Sequence, residues 1–144
     1  MPLIPKIGLL FFTSGWFRDV GLQSEGSDTS AAVEKMAERI IKRLEADIEL
    51  VHSGVLYSTS EAAKAGRMIR DADVDGVLLV PLTWCEDQIV RAAFVELPSV
   101  SLLLWTFSPW ESLPDFVTFQ TALQDTGMVC TLQLSGMLRR ENRW

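Results

Sequence analysis

The chain has 144 residues, 48% of them hydrophobic and 22% charged, with a formal net charge of −6. That length fits one domain able to bury about 68–70% of its unfolded surface, a core that needs no metal or disulfide staples. The composition excludes disordered, collagenous and coiled-coil chains, and the acidic balance argues against a nucleic-acid surface or an anionic membrane partner.

Chemistry is narrowed further by two counts. Cys85 and Cys130 are the only cysteines and His52 the only histidine. A structural zinc site takes about four Cys or His ligands. A Cys or Ser nucleophile would have to share the one histidine as its base. Two cysteines far apart in apolar surroundings suit buried thiols in a reducing cytosol. No signal peptide is evident, and no stretch approaches the roughly 20 apolar residues of a membrane helix. The expectation is a soluble, cytoplasmic protein.

Taken in chain order, residues 6–13 form a continuous apolar run, the mark of a strand buried on both faces. A polar, Gly-containing stretch over 14–27 follows. Asp28, Thr29 or Ser30 can then cap a helix whose apolar positions are Val33, Met36, Ala37, Ile40, Ile41 and Leu44. Residues 47–51 predict a short second strand. Ser58-Thr59-Ser60-Glu61 has capping-box spacing and opens a helix running to about Ala72. Its packing stripe is small: Ala62, Ala65, Gly66, Ile69 and Ala72. Buried strands are predicted over 75–82 and 99–105, separated by a helix over 86–95 that Pro98 terminates. A last helix is predicted over 125–140, with Arg139 and Arg140 near its C-terminus.

Alternation of strand and helix requires crossover connections. The predicted architecture is therefore a three-layer Rossmann/flavodoxin-like α/β fold, a mostly parallel sheet with helices on both faces. A closed fold of this kind expects a further strand after the last helix. The chain thus reads as one α/β domain over 1–144, the N-terminal part of something longer.

Ligands of open α/β sheets bind at the carboxyl ends of the strands. Those ends read Thr13-Ser14-Gly15-Trp16-Phe17-Arg18, then Thr83-Trp84-Cys85-Glu86, then Thr106-Phe107-Ser108-Pro109-Trp110-Glu111. Three of five tryptophans, Trp16, Trp84 and Trp110, fall on this rim, with Trp105 just inside it. A Trp face with its N–H donor suits a sugar ring or flat heterocycle. The alternative for each ring is filling a gap between loop and core. Glu86 and Glu111 share the rim and could pair as acid and base, or stand as solvated carboxylates. His52 reads as a hydrogen-bonded loop or edge residue.

Neither the Gly-x-Gly-x-x-Gly fingerprint nor the P-loop occurs. Strand ends reading Thr13-Ser14 and Leu82-Thr83 lack the acidic residues of a phosphoacceptor domain. A flavodoxin-like flavin-binding module stays open, with Trp rings to sandwich the isoalloxazine, although Thr13-Ser14-Gly15 is a weak phosphate loop.

The run from Asp75 to Cys85, Asp-Gly-Val-Leu-Leu-Val-Pro-Leu-Thr-Trp-Cys, and Phe119-Gln-Thr-Ala122 resemble the N-terminal domain of the L-fucose/L-arabinose isomerase family. The opening Lys6-Ile-Gly-Leu-Leu resembles the family's start, and Leu102-Leu-Leu-Trp with Leu113-Pro its fourth strand and loop. The resemblance spans most of the chain on short motifs. It implies an aldose–ketose isomerase that shifts a proton between C1 and C2 through an enediol with a divalent metal, usually manganese. Its metal ligands and acid/base carboxylates would lie in later domains of the full-length parent. This domain would supply one wall of the pocket for a pentose or 6-deoxyhexose, completed across a homo-oligomer interface, and would be inactive alone. Trp84 would stack on the sugar and Gln120 would hydrogen-bond a hydroxyl. Trp16 and Arg18 would lie on the loop that reaches the pocket, where this sequence departs from the family, and Glu86 would stand beside them. The resemblance further implies association through helix faces and the segment around Met137, Leu138 and Trp144.

Overall fold

The computed structural model describes residues 3–19 and 29–105. The described chain runs β1 (Lys6–Phe12), α1 (Gly15–Asp19), α2 (Thr29–Leu44), β2 (Glu49–Val51), β3 (Val55–Leu56), α3 (Thr59–Asp71), β4 (Gly76–Pro81), α4 (Asp87–Phe94) and β5 (Ser101–Leu104). Every strand pairing is parallel, in the order β2-β1-β4-β5, with β3 continuing along the β2 side of β1. This is the three-layer α/β fold that the alternating pattern predicts.

Apolar periodicity explains the layers. Consecutive residues Leu9 to Phe12 are all buried, because β1 is central and covered on both sides. One face presents Leu10, Phe12, Leu79 and Leu104 to α3 and α4, where Phe12 meets Phe94 edge-on at 6.5 Å. The other presents Leu9, Phe11 and Val80 to Val33, Ala37 and Ile40 of α2.

Helix α3 starts as its sequence dictates: the Glu61 N–H donates to Oγ of the N-cap Ser58 at 3.2 Å. Ala62, Ala65, Gly66 and Ile69 of its small stripe are buried, Ala72 is its half-buried C-cap, and Gly66 lies so close to α4 that a Cβ there would stand 2.5 Å from the Ala93 carbonyl oxygen. Only glycine allows that approach.

Three local expectations are corrected. The stretch after β1 is not all loop: α1 forms because Ser14 accepts from the Trp16 N–H through Oγ and from the Phe17 N–H through its carbonyl. The second strand, Glu49–Val51, is shorter than 47–51 suggests, and a further short strand follows it. The strand path breaks at His52-Ser53-Gly54, where Gly54 takes φ 81°, and resumes as β3. Residues 47 and 48 instead belong to the turn, both N–H groups donating to the Leu44 carbonyl.

Finally, β5 is not buried on both faces: Leu102 and Leu104 are buried while Leu103 is 42% exposed. The predicted helix over 125–140 and the segment with Met137, Leu138 and Trp144 lie outside the described residues.

Candidate functional site at the sheet's switch point

From β1 the chain moves out to β2 and β3, then crosses back over β1 to β4. Strand order therefore reverses between β1 and β4, and the carboxyl ends flanking such a switch point are where open α/β sheets bind ligands. The residues there are Thr13-Ser14 after β1 and Leu82-Thr83-Trp84-Cys85-Glu86 after β4.

Backbone bonds fix the two ends together: the Leu82 N–H donates to the Phe12 carbonyl at 2.8 Å and the Thr13 N–H to the Leu56 carbonyl at 3.2 Å. Thr13, Ser14 and Thr83 are buried polar residues, so their hydroxyls need partners. Thr83 Oγ1 donates to the Trp84 carbonyl at 2.9 Å, and the Thr13 and Thr83 hydroxyl oxygens are 2.6 Å apart. Each hydroxyl has one proton. Thr83's is given to Trp84, so Thr13 is the donor in the pair.

Ser14 Oγ donates to Glu86 Oε1 at 2.8 Å, spanning from one strand end to the other. The remaining oxygen, Glu86 Oε2, is buried with no hydrogen-bond partner among the described residues. Leaving a buried acceptor unpaired costs about 1–3 kcal/mol, more when charged. Glu86 is the N-cap of α4, yet its side chain makes no cap bond, because Ser14 holds it away.

Two tryptophans flank this cluster in sequence, and both stand out from the surface. Trp16 is 55% exposed and Trp84 48% exposed, although Thr83 and Cys85 on either side of Trp84 are buried. Trp16 is steadied by an edge contact with Phe17 at 5.2 Å. Trp105 is half-buried, its N–H donating to the Leu79 carbonyl.

Arg18 is placed differently. Its Nη1 donates to Glu61 Oε1 at 2.8 Å while its guanidinium lies 4.6 Å from the centre of the Tyr57 ring. Glu61 Oε2 accepts from the Tyr57 N–H at 2.7 Å, and the Tyr57 hydroxyl donates to Glu34 Oε1 at 2.9 Å. The capping box is thus shifted, with Glu61 reaching one residue past the N-cap. Partial burial pushes the Glu61 carboxyl up, but Arg18, the Tyr57 N–H and the Ser58 bond together hold it below its usual range. Arg18 anchors α1 to the start of α3.

The β1 and β4 strand ends therefore bring together Ser14, Thr13, Thr83 and Glu86, with the exposed Trp16 and Trp84 next to them in sequence. Gln120, Trp110, Glu111 and Cys130 lie outside the described residues, and with them the expected pairing of Glu86 with Glu111. His52 lies in the break between β2 and β3, a loop position as expected, with its Nδ1 buried and without a hydrogen-bond partner among the described residues. Sequence reasoning weighed Thr13 and Ser14 only as a weak phosphate loop and gave Thr83 no role. The available signal was a hydroxyl residue ending each of two buried strands.

Fold and strand order together define a parallel α/β domain whose switch point lies between β1 and β4. The chain matches no protein-family model and no curated protein. Among the described residues, no three His, Cys, Asp or Glu side chains come together as metal ligands would, and no helix is long and apolar enough to cross a membrane.

Proposed function

We propose that this domain forms one wall of a sugar pocket, the substrate-shaping and assembly domain of an aldose–ketose isomerase of the L-fucose/L-arabinose type. The carrying observation is that Trp84, directly after the central strand pair, presents half its surface at the switch point while its neighbours are buried. An indole offered there is a stacking platform for the C–H face of a pyranose or pentose ring.

Trp16 extends the apolar rim, Glu86 supplies a hydroxyl acceptor, and Gln120 is assigned to the pocket by resemblance alone. Arg18 serves as a positioning residue, since Glu61 and Tyr57 occupy its guanidinium. Manganese and the acid/base carboxylates are assigned by the resemblance alone to later domains of a longer parent. The opposite wall comes from a second copy, and Cys85 remains a reduced thiol in a cytoplasmic setting.

A flavin-binding module is the competing assignment, favoured by the strand order. It needs free donors after β1 for a phosphate, and here the Ser14 hydroxyl is spent on a carboxylate.

Saturation-transfer NMR with L-fucose and L-arabinose tests the proposal. Sugar signals are expected with the native chain and are expected to fall several-fold in Trp84→Ala. Unchanged sugar signals in that variant would overturn the platform assignment. With manganese added, no ketose is expected above a protein-free control. Metal-dependent turnover by this chain would refute its non-catalytic part.

A further inference from the structure

Two hydroxyl relays cross between the carboxyl ends of β1 and β4, and each ends on the backbone of an exposed tryptophan. In one, Thr13 Oγ1 donates to Thr83 Oγ1 over 2.6 Å, and Thr83 passes its own proton to the Trp84 carbonyl at 2.9 Å. In the other, the Trp16 N–H donates to Ser14 Oγ at 3.1 Å, and the Ser14 hydroxyl donates to Glu86 Oε1 at 2.8 Å. We infer that Thr13 and Glu86 are positioning residues that act across the sheet. Thr13, on the β1 side, sets the place of Trp84, and Glu86, on the β4 side, sets that of Trp16. The bearing of the relays on sugar binding rests on the platform reading above; their hold on the two rings does not.

Packing secures only part of either ring, since Trp84 is 48% and Trp16 55% exposed. The hydroxyls beneath them are in the opposite state: Thr13, Ser14 and Thr83 are all buried. A buried hydroxyl has no water to turn to, so its partners fix its direction, and successive bonds in such a chain reinforce one another. With Thr13 donating to it, Thr83 Oγ1 serves as acceptor on one side, and its single proton is directed onward to the Trp84 carbonyl. Loss of the Thr13 hydroxyl removes that constraint from the far strand.

Glu86 shows the same division of roles. An N-cap side chain usually accepts from an N–H of its own helix. Glu86 makes no such bond and reaches to β1 instead, where it takes the Ser14 proton and leaves the Ser14 oxygen to accept from the Trp16 N–H. Rings whose backbone is fixed before a ligand arrives lose less freedom on binding, which strengthens a platform without adding a contact.

The test reads the indole N–H signals of the ¹⁵N-labelled full chain without ligand, with Trp84→Phe and Trp16→Phe assigning the two concerned. Thr13→Val, an isostere lacking the hydroxyl, is expected to shift or broaden the Trp84 signal more than that of Trp16, its near neighbour in the chain. Glu86→Ala is expected to do the reverse, disturbing Trp16 more than Trp84. Thr13→Ser keeps the hydroxyl and should return the Trp84 signal to its native position. If Thr13→Val folds poorly, Glu86→Ala decides through the other relay. In titrations of the same samples with L-fucose or L-arabinose, Thr13→Val should weaken binding several-fold and Thr13→Ser should restore it.

A larger disturbance at the tryptophan nearer in sequence, or unmoved indole signals in both variants, would overturn the inference. So would native sugar affinity in Thr13→Val. Crossed indole shifts in a chain that binds no sugar would keep the relays and remove the platform reading alone.

Discussion

Replacing Trp84 by alanine separates a ligand platform from a core residue by stability alone. A fully buried Trp or Phe truncated to alanine costs about 3–5 kcal/mol through lost transfer energy and the cavity left behind. Trp84 keeps 48% of its surface in water, so roughly half of that loss is available, and the open side leaves no closed cavity. The expected cost is about 1–2 kcal/mol. Phe12→Ala provides the internal standard: Phe12 is fully buried against Phe94, so about 3–5 kcal/mol should be lost. Urea melts followed by circular dichroism measure both, with equal slopes confirming a shared unfolded state. Since domain stability is about 5–15 kcal/mol, the two outcomes are well resolved. A loss near 4 kcal/mol for Trp84→Ala would return the ring to the core and refute the reasoning.

Gly66→Ala should destabilise by about 1–2 kcal/mol in the same melts: the added Cβ meets the Ala93 carbonyl at 2.5 Å, which outweighs the gain in helix propensity of about 1 kcal/mol. Ser14→Ala strands Glu86 Oε1 and the Trp16 N–H together and should cost about 1–3 kcal/mol. The Glu61 carboxyl lies below its ordinary value of 4.5 in the folded chain, so its contribution is present above that pH and lost as acid carries the pH through the lower folded value. With Arg18 42% exposed, that contribution is under about 1 kcal/mol. Arg18→Ala should raise the Glu61 midpoint in a carboxyl NMR titration, and an unmoved midpoint would show that the ion pair is not holding it.

The layers were legible because the periodicities are strong. Four consecutive buried residues in β1 and the stripe from Val33 to Leu44 permit one arrangement, and Ser58 announces α3 through its spacing to Glu61. The short strand β3 escaped because long-range pairing with β1 creates it. Nothing in His52-Ser53-Gly54 announces that the strand resumes at Val55, since register with Phe11 and Phe12 decides it. The rim aromatics were visible as residues beyond strand ends. The Ser14–Glu86 bond, 72 residues apart in sequence, arises only when β1 and β4 become neighbours. Arg18 shows the converse: a cation on the ligand loop is diverted by Glu61 and Tyr57, which sequence distance conceals.

The most direct measurement is a titration of the ¹⁵N-labelled chain with L-fucose or L-arabinose, following indole and backbone resonances. Saturable shifts confined to Trp84, Trp16 and residues 13–14 and 83–87 are predicted, with core signals such as Phe94 unmoved. Shifts centred away from the β1–β4 strand ends, or none at sugar concentrations well into the millimolar range, would contradict a sugar pocket at the switch point.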